Sequence, residues 1–301
     1  MSKVVVIGGG VAGMIAAIRA SLKNEVILLE GNDKCGKKIL LTGNGRCNYW
    51  NENISIDSYH TDNLKKLEEI ISSSNQKEVL TFLEKMGLFP RIKNGYYYPF
   101  SNQASSVRNL LTRELEKRNV EVVYQKVKHI SKQEHYFLID TSKQTFVSDY
   151  VILATGSTAS PKTGSDGSGY LLAKSLGHTI SEVTPALVPM KAKESCLKEW
   201  EGVRTDSKVS LIVEKKKVAE ELGEIQLTNY GISGICVFNL SGLASKNLKL
   251  GKKVEVEINF LPFLNVSFYE WFSERNQRIP NHSVEDLLES IFPYKLLLVL
   301  L

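Results

Sequence analysis

Residues 3–30 read KVVVIGGGVAGMIAAIRASLKNEVILLE. Lys3 to Ile7 is a β-branched run bounded by glycine, which predicts a buried strand. Ala12 to Leu22 has helical periodicity, and Glu25 to Leu29 is a second strand ending at Glu30. Strand, helix and strand within about thirty residues is the size of a βαβ crossover. Gly8, Gly10 and Gly13 stand between the first strand and the helix, spaced Gly-x-Gly-x-x-Gly. The first glycine permits a tight turn, the second lets backbone approach a pyrophosphate, and the third lets helix and strand pack closely. The helix start offers free N–H groups and partial positive charge to phosphates. Glu30 lies twenty residues beyond Gly10, where a carboxylate accepts hydrogen bonds from a ribose diol. With strand, helix and acid in register, the stretch predicts a dinucleotide site on a doubly wound α/β fold.

A second motif overlaps the end of this unit. Gly31 to Lys37, GNDKCGK, fits the core of a P-loop. Lys38 stands where a Ser or Thr must ligate magnesium, and glycines break up the residues that would open the helix, so this reading is discounted.

The choice between FAD and NAD rests on the chain beyond Glu30. FAD enzymes of the glutathione-reductase type leave the first βαβ unit by a long excursion. A small β-meander then leads into a strand ending Ala-Thr-Gly beside the cofactor. Helical patterns at Leu64 to Ser72, Gln76 to Met86 and Ser105 to Arg118 supply the excursion. Short alternating strands between Glu121 and Val147 supply the meander, and Tyr150 to Leu153 runs into Ala154, Thr155 and Gly156. The loop TGNGRCN, Thr42 to Asn48, falls where such enzymes thread the chain past the pyrophosphate toward the flavin ring. Gly43 and Gly45 allow close backbone approach, Arg46 offers charge to phosphate or reduced flavin, and Asn44 and Asn48 supply amide hydrogen bonds. The expected cofactor-binding set at the fingerprint is Gly8, Gly10, Ala12, Gly13 and Glu30. Lys38, Gly43, Asn44, Gly45, Arg46, Cys47 and Asn48 come next in the loop, with Val127, Ala154, Thr155 and Gly156 beside it. No catalytic residue and no metal ligand is assigned.

The remaining features bound the reading. At 301 residues, 43% hydrophobic and 24% charged, the chain is an ordinary globular sequence long enough for two domains. A net charge of +5, mostly scattered lysine, suits a solvated surface or an anionic ligand better than a nucleic-acid stripe. Cys35, Cys47, Cys196 and Cys236 form no CxxC pair, which fits reduced thiols in the cytoplasm. Cys47 with Cys35 as a redox pair is disfavoured, because eleven residues intervene and nothing in the sequence joins them. The five histidines show no metal spacing. Tyr230 is a candidate proton donor, balanced against a structural tyrosine in a turn. Segments 187–191, 208–214, 217–220, 224–228 and 235–240 read as short strands, EKKK at 214–217 as a hairpin turn, and the chain from Ser267 as helical. The expected domains are an FAD domain over 1–186, a β-rich insert over 187–262 and the start of a helical insert over 263–301.

Several stretches resemble one family: VVIGGGVAGMIAAI, GKKILLTGNGRCN, YYYPFSNQASSV, VILATGSTASPKTGSDGSGYLLAKSLGH, PALVPM and GEIQLTNYGISGI. They are similar to the BaiN/YhiN-type, aminoacetone-oxidase-like FAD flavoproteins, one branch of which reduces ring double bonds of 3-oxo bile acids with a nicotinamide donor. The resemblance implies a glutathione-reductase-type FAD domain interrupted by a β-rich and a helical insert. It implies an FAD-dependent oxidoreductase acting on an enone-like small molecule by hydride transfer through flavin N5, with NAD(P)H as a transient donor. A small-amine oxidase, a flavin-dependent tRNA-modifying protein and a non-catalytic flavin-binding remnant are the alternatives. The tRNA reading should show a basic, aromatic-interleaved surface, and none is evident in the sequence. The expected partner is therefore a small molecule, with no nucleic acid and no membrane. In that family the chain returns from the helical insert to the FAD domain through a Gly-rich segment. Here residue 301 falls inside the insert, at KLLLVLL, so weak FAD binding and self-association are expected.

Overall fold

The computed structural model describes residues 1–73 and 76–301. They form two compact units, Met1–Ile180 and Ser181–Leu301.

The first unit is built on a four-stranded parallel sheet. β1 (Lys3–Ile7) pairs with β2 (Glu25–Leu29) on one side and with the strand Tyr150–Leu153 on the other. Glu121–Val123 lies outside β2. α1 (Val11–Ala20) crosses between β1 and β2 and buries Gly13, Met14, Ala17 and Ile18, one face at helical spacing. The strands are apolar on both faces because both are covered. Val4 and Val6 join α1 and the helix Ala104–Lys117 in one core, the latter through Val107, Leu111 and Leu115. Val5, Ile7, Ile27 and Leu29 join Val127, Ile130, Ile139 and Phe146 of the antiparallel meander Val127–Lys132, Phe137–Thr141, Thr145–Ser148 in another. The excursion after β2 carries helices Leu64–Ser73 and Gln76–Lys85. It also holds a small antiparallel sheet ordered Trp50–Asn51, Tyr96–Pro99, Pro90–Lys93. This is the Rossmann-like α/β architecture expected from the fingerprint.

The second unit is a five-stranded antiparallel sheet ordered Met190–Lys191, Gly231–Ser233, Lys216–Thr228, Arg204–Val213, Val254–Asn259. Glu214 and Lys215, both at positive φ (50° and 66°), make the two-residue turn between its long strands. The stretches expected as strands at 217–220 and 224–228 are one 13-residue strand. The strand expected at 235–240 is instead the start of the helix Ile235–Lys249. ICVFNL is apolar enough to read as either, but the buried set Cys236, Val237, Leu240, Ser241 and Ala244 follows the helical period. That face packs on Val209, Leu211, Ile225 and Leu227 of the sheet. Helices Phe268–Arg278 and Val284–Glu289 each open with a reciprocal capping box, Ser267 with Glu270 and Ser283 with Asp286. Tyr294–Leu300 is also helical, and its Leu296 and Leu297 are fully buried in the same core as the sheet. No helix among the described residues is long and apolar enough to cross a membrane.

Candidate cofactor cleft

From β1 the chain moves outward through β2 to Glu121–Val123, then returns to the opposite side of β1 as Tyr150–Leu153. The carboxyl end of β1 is therefore the topological switch point, where open α/β sheets bind ligands. A cavity of about 760 Å³ lies there, lined by Gly8 to Ala12, Glu30 and Thr155 among others.

The three fingerprint glycines are glycine for different reasons. Gly8 sits at φ +104°, and a Cβ there would lie 2.5 Å from the Ala154 carbonyl oxygen. A Cβ on Gly13 would lie 1.8 Å from the Gly8 carbonyl oxygen, so this position lets α1 seat against the turn. A Cβ on Gly10 would meet nothing within 4 Å, yet Gly10 lines the cavity. No protein atom accounts for a glycine at that position, whereas a phosphate approaching the backbone would. Gly10 is also the N-cap of α1 and caps it with no side chain, leaving first-turn N–H groups for an anion. The residues present thus fit a dinucleotide diphosphate.

Glu30 is buried at the end of β2. One carboxylate oxygen accepts from the Gly9 N–H at 2.7 Å. The other accepts from the Asn32 N–H at 2.7 Å and from Asn32 Nδ2 at 2.6 Å. Asn32 Nδ2 also donates to the Thr163 carbonyl at 3.2 Å. Lys38 Nζ donates to the Ala159 carbonyl and to Ser165 Oγ, each at 2.7 Å. Lys126 Nζ donates to Asp166 Oδ2 at 2.6 Å, which holds the Asp166 carboxyl well below the usual carboxylate range. Through these bonds the segment 159–166 is tied to the residues that follow β2 and Glu121–Val123, and its residues 161–166 form one wall of the cavity. Gly169 lets the next helix, Ser168–Ser175, pack on Thr155, whose Oγ1 a Cβ there would overlap.

The loop Thr42–Asn48 bends sharply. Gly43, Asn44, Gly45 and Cys47 all take positive φ, at 55°, 54°, 80° and 61°. Cys47 N–H closes the bend on the Thr42 carbonyl at 3.0 Å. Arg46 folds over the outside, with Nε donating to the Gly43 carbonyl at 3.1 Å and its guanidinium 5.5 Å from the Tyr98 ring centre.

Of the expected set, Gly8, Gly10, Ala12, Glu30, Lys38, Cys47, Asn48, Val127, Ala154, Thr155 and Gly156 line the cavity. Gly13 packs behind it, and Gly43, Asn44, Gly45 and Arg46 form the turn beside it. The sequence reading left out Gly9, Asn32, Thr42, Lys126 and Ser165, which also line the cavity. Gly9 has a local signal, as the middle of three glycines: a Cβ there would lie 2.5 Å from Cys35 Sγ. Thr42 opens the loop itself and bonds locally, whereas Asn32, Lys126 and Ser165 are brought in by contacts distant in sequence. All four cysteines are free. Burial first, then the Glu30 carboxylate, pushes the Cys35 thiol up to about 11. Burial also raises Cys47, so neither is a ready thiolate near neutral pH. Tyr230, 42% exposed, lies in the turn between Lys216–Thr228 and Gly231–Ser233 of the second unit.

Known proteins resemble this chain. The family profile of the HI0933-like protein Rossmann domain matches residues 2–248. Over 302 residues the chain is 40% identical to the 3-dehydro-bile acid delta(4,6)-reductase of Clostridium scindens, covering 99% of this chain and 74% of that protein. It is 26% identical to the ribosomal RNA dihydrouridine synthase of Escherichia coli over 97% of this chain and 71% of that protein. Among solved structures, a 3-ketosteroid-delta4-(5alpha)-dehydrogenase from Rhodococcus jostii RHA1 is matched at 16% identity and a TM-score of 0.45. That match covers 59% of this chain and 55% of that one. On the profile match and the 40% identity, the chain belongs to the HI0933-like family of Rossmann-domain proteins, the BaiN/YhiN-type flavoprotein oxidoreductases.

Proposed function

We propose that the chain binds FAD along this cleft and serves an NAD(P)H-driven reductase that saturates a carbon–carbon double bond conjugated to a carbonyl in a small molecule. The observation that carries the cofactor assignment is Gly10, open to the cavity at an uncapped helix start and sharing that cavity with the Glu30 carboxylate. In this reading the backbone N–H groups of residues 10–12 hold the diphosphate. Glu30 accepts from the adenosine ribose, and Val127 with Lys126 borders the adenine. Ala154 to Gly156 and the Thr42–Asn48 loop direct the rest of the cofactor. When bound, the flavin supplies hydride chemistry at N5.

The names of both relatives support the substrate class. A double bond at position 4 of a 3-oxo steroid is conjugated to the ketone. The bond saturated in dihydrouridine is likewise conjugated to a ring carbonyl of uracil. The four free thiols support a reducing compartment, the cytoplasm.

The test is anaerobic mixing of the FAD-loaded protein with NADH or NADPH, then addition of a 3-oxo-4-ene steroid, a uridine-containing RNA or oxygen. The expected result is loss of flavin absorbance with the nicotinamide and its return with the enone. Return with oxygen alone would make the protein an oxidase, and return with RNA alone would replace the small-molecule substrate.

A further inference from the structure

The segment 157–166, STASPKTGSD, is held differently from the rest of the first unit. Among the described residues none of it belongs to a hydrophobic core, and of its side chains Ser165 alone is buried. Inside, it is a compact turn. Thr163 donates to the Ser160 carbonyl through its N–H at 2.9 Å and its Oγ1 at 2.8 Å, and the Gly164 N–H donates to the Pro161 carbonyl at 3.0 Å. Outward, among the described residues, no backbone–backbone hydrogen bond joins it to the sheet or the helices. At its own end the Ser168 N–H donates to Asp166 Oδ1 at 3.0 Å. Every other tie comes from a side chain far away in sequence: two bonds from Lys38 and one each from Asn32 and Lys126. Glycine at positive φ stands at each end, Gly156 at +76° and Gly167 at +81°.

We infer that residues 157–166 form a strap, closed here, that lifts as a unit between Gly156 and Gly167 to admit a dinucleotide and latches over it through Asn32, Lys38 and Lys126. The inference rests on the proposed cofactor site. Pro161 to Asp166 line the same cavity as Gly10 and Glu30, so the closed strap walls in a ligand lying there. Lifting it uncovers no apolar core and breaks no ladder bond, so opening costs the side-chain ties alone; segments of this kind sit at the low end of local stability. The βα turn and α1 on the other side of the cavity are packed into the core and have no such freedom. Asn32 joins the latch to the site. Its Nδ2 donates both to the Glu30 carboxylate at 2.6 Å and to the Thr163 carbonyl at 3.2 Å, so a ribose held by Glu30 is one side chain away from the strap.

The experiment takes two readouts on the whole chain. One is the rate at which bound FAD is released into excess ADP, followed by flavin fluorescence. The other is the rate of tryptic cleavage after the exposed Lys162, followed by mass spectrometry with and without ADP. The wild type is compared with Lys38→Met, Lys126→Met, the two together, and the conservative Lys126→Arg. In the wild type, ADP at about a hundred times its Kd should slow cleavage after Lys162 by about tenfold or more. The double Met variant should release FAD and be cut about tenfold faster or more, the scale of a lost charged hydrogen bond. Its association rate should stay within about threefold of wild type, because a latch acts on release. Lys126→Arg, which keeps the tie to Asp166, should behave as wild type. Where a Met variant fails to fold, Asp166→Asn weakens the same tie from the strap side and should act in the same direction. Nucleotide binding with release and cleavage unchanged in the variants would overturn the strap. So would faster release with unchanged cleavage after Lys162, since the lysines would then be holding the ligand and not the segment. Binding of neither FAD nor ADP by the wild type would overturn the cofactor reading, and a nucleotide strap with it.

Discussion

The carboxylate of Glu30 accepts from Gly9 through one oxygen and twice from Asn32 through the other. The oxygen bonded to Gly9 therefore keeps a lone pair for a further donor. A ribose hydroxyl can take that position without displacing an internal bond. Glu30→Ala should therefore weaken FAD binding by roughly 1–3 kcal/mol, the scale of a lost hydrogen bond to a charged group. It should also lower the melting temperature of the apoprotein, because the Gly9 N–H loses its buried acceptor. Calorimetric titration and a thermal melt separate the two effects, and unchanged FAD affinity would remove Glu30 from the site. Glu30 is legible from spacing alone, because a strand end twenty residues past Gly10 is a local feature. Asn32 is not, since its Nδ2 links Glu30 to Thr163, 131 residues away. Arg46 is legible only as a charge in a glycine loop; its place on Tyr98 depends on a strand about fifty residues on.

At the level of elements, the βα turn separates the glycines that build the fold from Gly10, the one proposed to serve a ligand. Gly13→Ala gains about 1 kcal/mol of helix propensity. Against that, its Cβ would press a backbone carbonyl at 1.8 Å, which cannot rotate away. Overpacking of this kind costs about 1–3 kcal/mol or more, so the net change should be a lower melting temperature. Gly10 has φ −72° and ψ −179°, open to any residue, and its Cβ would meet no protein atom. Gly10→Ala should leave the apoprotein melt unchanged and weaken FAD binding tenfold or more, about 1.4 kcal/mol. Equal loss of stability in both variants would contradict this division of roles. The helix Ile235–Lys249 shows where element reading fails. A six-residue apolar window cannot distinguish a strand from one face of a helix, and only the run to Ala244 exposes the period. The strand Val254–Asn259, whose half-buried residues alternate with exposed ones, falls inside the stretch expected to be β-rich but is not among the strands read there.

For the whole molecule, the parallel order of the first unit follows from the sequence, because continuous β-branched runs demand cover on both faces. The second unit is legible as β-rich but not as a sheet sharing one core with the terminal helices, a core that gathers residues over 80 positions apart, Leu211 and Leu297 among them. Its apolar Leu296 and Leu297 are covered within that core. The cofactor assignment rests on the first unit, where the fingerprint, Glu30 and the wall around Thr155 enclose a single cavity. The most direct measurement is competitive titration of the apoprotein with FAD, FMN and ADP. If the cleft holds the ADP half of the cofactor, ADP displaces FAD, and FMN, which lacks that half, neither binds comparably nor competes. FMN binding as tightly as FAD, with ADP without effect, would contradict a dinucleotide site at β1.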